Sequence, residues 1–109
     1  MADSLKILAS LAPTAATSTL LYTVPAATST TVSSITVCNT SATATSFRIS
    51  VAAAGVALAT NQYVYYDQAI DGNSTYTATI GITLAATDVV RVYATLATLS
   101  FNAFGVEVA

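Results

Sequence analysis

Ser46-Phe47-Arg48-Ile49-Ser50-Val51 is the stretch on which the fold turns. Phe47, Ile49 and Val51 fall on one side of an extended chain; Ser46, Arg48 and Ser50 fall on the other. A period of two is the spacing of a strand with one buried face, and a helix would scatter these three apolar residues around its axis. Upstream, Val32-Ser33-Ser34-Ile35-Thr36-Val37-Cys38-Asn39 alternates in the same way, with Ile35 and Val37 on the core side. The short polar segment Thr40–Thr45 between the two strands reads as a hairpin loop. Phe47, Ile49, Val51, Ile35 and Val37 are therefore expected to share one core.

Working outward, the same reading predicts strands at Leu5–Ser10 and Thr19–Val24, which flank a loop holding Pro13. Gln62–Tyr66 carries three tyrosines. Asp71-Gly72-Asn73-Ser74 is a turn, because Gly and Asn accept positive φ. Thr75–Ile80, Asp88–Ala94 and Leu99–Val108 complete the set, with Phe101 and Phe104 on opposite faces. Ala52–Thr60 reads as a loop, since Gly55 permits no more than a helical turn. About eight short strands with turn signals between them predict an all-β fold, an antiparallel β-sandwich of jelly-roll-like form. No linker or change of composition divides residues 1–109, so a single domain is expected.

Composition narrows the function. The chain has 109 residues, no histidine, one cysteine, 7% charged residues and a net charge of -2. Without histidine it lacks the usual general base and the commonest zinc ligand. Cys38 alone forms no internal disulfide, which points to a reducing compartment or a fold indifferent to redox state. Three basic residues do not neutralise a phosphate track, so nucleic acid is not an expected partner. Mean hydropathy is +0.68, yet prolines and dense Ser/Thr break up the apolar stretches. The most apolar run, Ile49–Ala59, is shorter than the roughly 20 residues of a spanning helix. Met1–Lys6 carries an early Asp3 and does not read as a signal peptide, so no membrane partner is expected.

Candidate sites weigh as follows. Asp67, Asp71 and Asn73 surround a turn and could offer oxygen ligands to calcium. They lack the EF-hand spacing, and ordinary turn hydrogen bonding accounts for them. Asp67 and Asp88 are the one conceivable carboxylate pair for acid–base work. Asp88 is better explained as a turn residue whose carboxylate accepts backbone N–H groups. Lys6 reads as a solvated charge and Cys38 as a small strand hydrophobe. Asn39-Thr40-Ser41 and Asn73-Ser74-Thr75 match the glycosylation sequon by chance in so Ser/Thr-rich a chain. Tyr63, Tyr65 and Tyr66 form the aromatic cluster, with Tyr63 and Tyr65 on one strand face and Tyr66 on the other. Such a cluster suits a contact between chains or a sugar-stacking platform. No catalytic, cofactor-binding or metal residue is assigned, and no enzyme activity is expected.

The surface is the strongest physical clue. Free monomers cover themselves with about 25–35% charged residues, which this chain does not possess. Its exposed positions must be Thr, Ser, Ala and Asn. Short uncharged side chains lose little entropy and little hydration on burial, so the surface suits lasting contact with copies of itself or with another protein.

Against that background, Leu21-Tyr22-Thr23-Val24-Pro25-Ala26, then Val32–Asn39, then Phe47-Arg48-Ile49-Ser50-Val51, resemble small virion proteins of tailed bacteriophages, including cyanophages. Tyr63–Ile70, Ile82–Ala94 and Ser100–Gly105 continue the resemblance in order, from Lys6 to Val108. Leu84, Asp88, Val90 and Val92 also resemble a strand entry of trimeric jelly-roll-like sandwiches, with Thr87 where that pattern has glycine. The resemblance implies a non-enzymatic virion protein assembled in the host cytoplasm. It implies a capsid decoration (cement) subunit acting as a homotrimer on the major capsid protein, or a tail or baseplate accessory bound to a tail protein. It brings no catalytic residues and no cofactor. A carbohydrate-binding module using Tyr63, Tyr65 or Tyr66 is the alternative of a different class.

Overall fold

The computed structural model describes residues 3–109. They form β1 (Asp3–Leu11), β2 (Thr19–Thr23), β3 (Ser29–Asn39), β4 (Thr45–Ala52), β5 (Tyr63–Ile70), β6 (Thr75–Ala78), β7 (Ile82–Leu84), β8 (Val89–Ala94) and β9 (Leu99–Val108). Two 3₁₀ turns, Ala53–Gly55 and Thr60–Gln62, interrupt the loop between β4 and β5. One sheet runs β1-β9-β3-β6 with β7 also on β3; the other runs β2-β8-β4-β5. All pairings between strands are antiparallel. The two sheets enclose one apolar core, so the all-β sandwich expected from alternation is the observed architecture. Partners nest around the β4–β5 connection: β4 with β5, β3 with β6 and β7, β2 with β8, β1 with β9. No described helix is long and apolar enough to cross a membrane.

The alternating segment buries the face its pattern requires, but Thr40–Thr45 is not the expected hairpin loop: β3 and β4 lie in different sheets, and the loop crosses from one to the other. Phe47 and Ile49 are fully buried beside Ile35 and Val37, while Val51 packs against the same core half-buried. Ser50 departs from the pattern and is buried on the outward side. Its register neighbours are Tyr63 and Arg91, two long side chains that flank it.

A ninth strand was not legible. The segment read as one strand, Thr75–Ile80, ends at Ala78; Gly81 turns the chain at φ 63, and β7 begins at Ile82. β6 pairs with Ile35–Cys38 and β7 with Thr30–Val32, so the long β3 supports both. A register shift between Val32 and Ser34 keeps that strand useful along its length. One extra residue reverses the in–out phase. Thr30 and Val32 thereby point inward together with Ile35, Val37 and Asn39.

Polar side chains close both ends of the sandwich. At one end buried Asn39 donates from Nδ2 to the carbonyls of Thr43 (2.8 Å) and Asp71 (3.2 Å) and accepts from the Ser41 amide. It pins the Thr40–Thr45 loop to the Asp71–Ser74 turn, and its amide is committed to the fold rather than offered as a glycan acceptor. At the other end Lys6 Nζ lies 2.7 Å from Glu107 Oε1. Tyr22 Oη donates to Glu107 Oε2 and therefore accepts from Thr30 Oγ1 at 2.9 Å. Lys6, expected to be merely solvated, is thus held by an ion pair.

This network gives stability a pH dependence. Lys6 and then Tyr22 hold the Glu107 carboxyl below its ordinary 4.5, against the opposing effect of burial. Burial, followed by the Glu107 hydrogen bond, pushes Tyr22 up to about 12. The carboxyl contribution is complete above the unfolded value and fades as pH falls through the lower folded one. The phenol contribution is complete below its unfolded value of 10 and fades as pH rises toward 12. We expect Glu107→Gln to flatten the acid limb of the thermal midpoint and Tyr22→Phe to flatten part of the alkaline limb. Tyr65, raised by burial and by Tyr76, adds to the alkaline limb in the same direction. Melting curves from pH 3 to 12 check this (the range follows the two reference values); slopes identical to wild type in both variants would contradict it.

Candidate interaction site

The outer face of the β2-β8-β4-β5 sheet carries both arginines. Arg48 stands opposite Tyr93 on β8, and Arg91 opposite Ser50 on β4. Two register shifts on β5 decide what else reaches Arg48. Ser50 faces Tyr63, Ile49 faces Tyr65 and Phe47 faces Gln68, so β5 twice spends an extra residue against β4. Asp67, at φ 50, lies in the second irregularity. Strict alternation places Tyr63 with Tyr65 and sets Tyr66 apart. The structure corrects this: Tyr65 turns inward onto Phe47 and Tyr76, with centroids 6.2 and 5.6 Å away. Tyr63 and Tyr66 meet edge-on outside, at 4.8 Å and 75°.

The resulting cluster is a layered one. Arg48 Cζ lies 4.2 Å from the Tyr66 ring centroid, 4.3 Å from that of Tyr93 and 5.9 Å from that of Tyr63. Arg48 Nε donates to Asp67 Oδ1 at 2.7 Å, with Nη2 at 3.4 Å from Oδ2. This carboxylate raises the guanidinium pKa above its already high value, so the cation persists at any working pH. Cation–π contacts at exposed sites stabilise by about 0.5–1 kcal/mol each. Together with the Asp67 ion pair they tie these side chains to one another. Tyr66 remains 57% exposed. Thr60, Tyr63 and Tyr66 border an open hollow of about 290 Å³.

A second feature lies on the outer face of the other sheet. Leu5 pairs with Val106 and Ile7 with Phe104 across β1 and β9. A shift between Ile7 and Ala9 then returns Ala9 and Leu11 to the core side, which is how one strand has apolar residues on both faces. Leu5, Thr31, Ser33, Phe104 and Val106 border a hollow of about 320 Å³. Sequence reading missed this strip, because Lys6 between Leu5 and Ile7 looks like the polar side of an ordinary amphipathic strand.

The remaining candidates are placed apart. Asp67 is engaged with Arg48, while Asp71 contributes its backbone carbonyl to Ser74 and Asn39. Asn73 turns the chain at φ 53, with its N–H on Ser41 O. Asp88 accepts the amides of Ala85 and Ala54, tying the β4–β5 loop to the turn before β8. No group of three His, Cys, Asp or Glu able to hold a metal occurs among the described residues. We expect equal thermal midpoints in chelator and in millimolar calcium; a rise of several degrees abolished by Asp71→Ala would overturn this. Cys38 is half-buried on β3 opposite Ser100 and Thr75.

No protein-family model matches the chain, nor does any curated protein or solved structure.

Proposed function

We propose that this chain is a non-enzymatic virion structural protein, a self-associating capsid decoration subunit of a tailed phage. The observation that carries the reading is the Arg48–Tyr63–Tyr66–Tyr93 cluster on an outer sheet face of an otherwise charge-poor domain. Tyr and Arg are the residues that anchor protein interfaces. The nested strand order supports reading the sandwich as a jelly roll, an architecture used by capsid and lectin domains. Thr87 sits at φ 69, the left-handed region that the glycine of the resembling strand entry would supply. Fold analogy raises this reading without carrying it.

Immunogold labelling and copy counting on particles of the phage that encodes the sequence test it. Hundreds of copies over the head are expected on the general scale of icosahedral shells; a handful at the tail supports the tail-accessory alternative, and absence from particles overturns both. The hollow beside Tyr63 and Tyr66 favours one second reading, a carbohydrate-binding module. A glycan array separates the two: the structural reading expects no signal, whereas a sugar bound by wild type and lost in Tyr66→Ala would replace it.

A further inference from the structure

A β-sandwich of two open sheets has four free edges, and this chain guards three of them. β2 is five residues long and carries a register shift between Leu20 and Tyr22. β5 is broken by two shifts and by the left-handed Asp67. β6 and β7 have four and three residues. Short strands and bulges are the usual means of keeping an edge from pairing with another chain. β1 is long, and its one shift comes late, between Ile7 and Ala9. It has nine residues and pairs with β9 without a shift from Asp3 to Ile7. Leu5 is 84% and Ile7 63% exposed, the two most exposed large apolar side chains among the described residues. Its one cation, Lys6, is drawn onto Glu107 and does not protect the rim.

We propose that β1 is the self-association edge: two copies pair their β1 strands antiparallel about a twofold axis, joining two sheets into one. This deepens the reading of a self-associating subunit and rests on it. The strand's own pattern narrows the register. Residues directly opposite each other share a face. Centring the axis on Leu5 sets Leu5 against Leu5 of the partner subunit, Lys6 against Ser4 and Ile7 against Asp3. Centring it on Lys6 instead brings two Lys6–Glu107 pairs together and sets Leu5 against Ile7 of the partner subunit, a register in which Leu5→Cys does not oxidise. The Leu5 register also joins the apolar strips of both copies, with the Leu5–Phe104–Val106 hollow beside each. A foreign strand would have to match this alternation, whereas a second copy does so by symmetry. An edge paired with itself closes as a dimer rather than the trimer expected from the resemblance. A contact of this extent belongs to the small class of interfaces, so the association is followed over a wide range of concentration.

Sedimentation velocity and light scattering across a concentration series from micromolar to several hundred micromolar test the proposal. The expected result is a mass of twice 11.1 kDa at the upper end. Leu5→Lys and Ile7→Lys should return the protein to monomer with unchanged circular dichroism, and Leu20→Lys on β2 should leave the dimer intact. In a Cys38→Ser background, Leu5→Cys should oxidise to a covalent dimer and Leu20→Cys should not; this arm decides the matter if a lysine variant misfolds. A monomer at every concentration, a trimer, or a dimer indifferent to Leu5→Lys would each overturn the proposal. None of these bears on particle labelling, so the virion reading stands or falls separately.

Discussion

Phe47→Ala is expected to destabilise the protein by about 3–5 kcal/mol, the penalty for deleting a fully buried aromatic ring. Phe47 is completely buried on β4. Its ring lies 5.4 Å from Tyr76, 6.1 Å from Phe101 and 6.2 Å from Tyr65, measured between centroids. Those three partners come from β6, β9 and β5, in both sheets, each fixed by its own ladder. The space left behind therefore cannot collapse by moving one element, and residual cavity volume is what sets the upper end of such penalties. A domain of this size typically has only about 5–15 kcal/mol of stability, so the loss is a large share of the whole. Urea unfolding at a constant slope measures it. Val51→Ala, half-buried on the same strand, should cost clearly less. A change within about 0.5 kcal/mol at Phe47, the level of an ordinary surface site, would mean that the strand face is inverted.

What the sequence disclosed, and what it hid, divides at the bulges. Where alternation runs unbroken, as in β4 from Ser46 to Ile49 and in β9 from Leu99 to Ala103, reading apolar residues at a period of two finds the core directly. A bulge adds one residue and reverses the phase without leaving a mark in composition. That is why Val32 joins Ile35 inside, and why Tyr63 joins Tyr66 outside while Tyr65 turns in. It is also why β1 is apolar on both faces, with Leu5 and Ile7 outward and Ala9 and Leu11 against the core. The Arg48 cluster had a second concealment. Its members come from three strands, and Tyr93 meets Arg48 only through the β4–β8 pairing, which local pattern does not specify. Composition carried to the surface only in part: the charge-poor chain exposes Thr, Ser and Ala as expected, but also Leu5, Ile7, Leu20 and Tyr66, which a surface of short side chains does not include.

Gly105→Ala discriminates between backbone propensity and packing, because the two predict opposite signs. Gly105 lies inside β9 and does not use the left-handed region, so its glycine is not required by φ. On propensity alone, alanine should stabilise a strand interior by about 0.5–1 kcal/mol. Packing says otherwise. A Cβ there would stand 2.0 Å from Thr31 O and 3.0 Å from both Thr31 C and Val32 Cα. All three are backbone atoms of β3, next to the bulge that brings Val32 opposite Gly105 and Ser34 opposite Phe104. Overpacking typically costs about 1–3 kcal/mol when side chains can yield. Here a central ladder must move, so a loss of about 3 kcal/mol or more is expected. Gly81→Ala provides the converse case: φ is 63, yet nothing lies within 4 Å of the added carbon. Its cost should be conformational alone, about 1–2 kcal/mol. Denaturant unfolding of both variants, with hydrogen exchange at the Thr31 and Val32 amides, separates the two causes. Gly105→Ala should speed exchange at those amides and Gly81→Ala should not. A gain in stability at position 105 would mean that β3 and β9 are not pinched together there, and that the bulge beside it has room to relax.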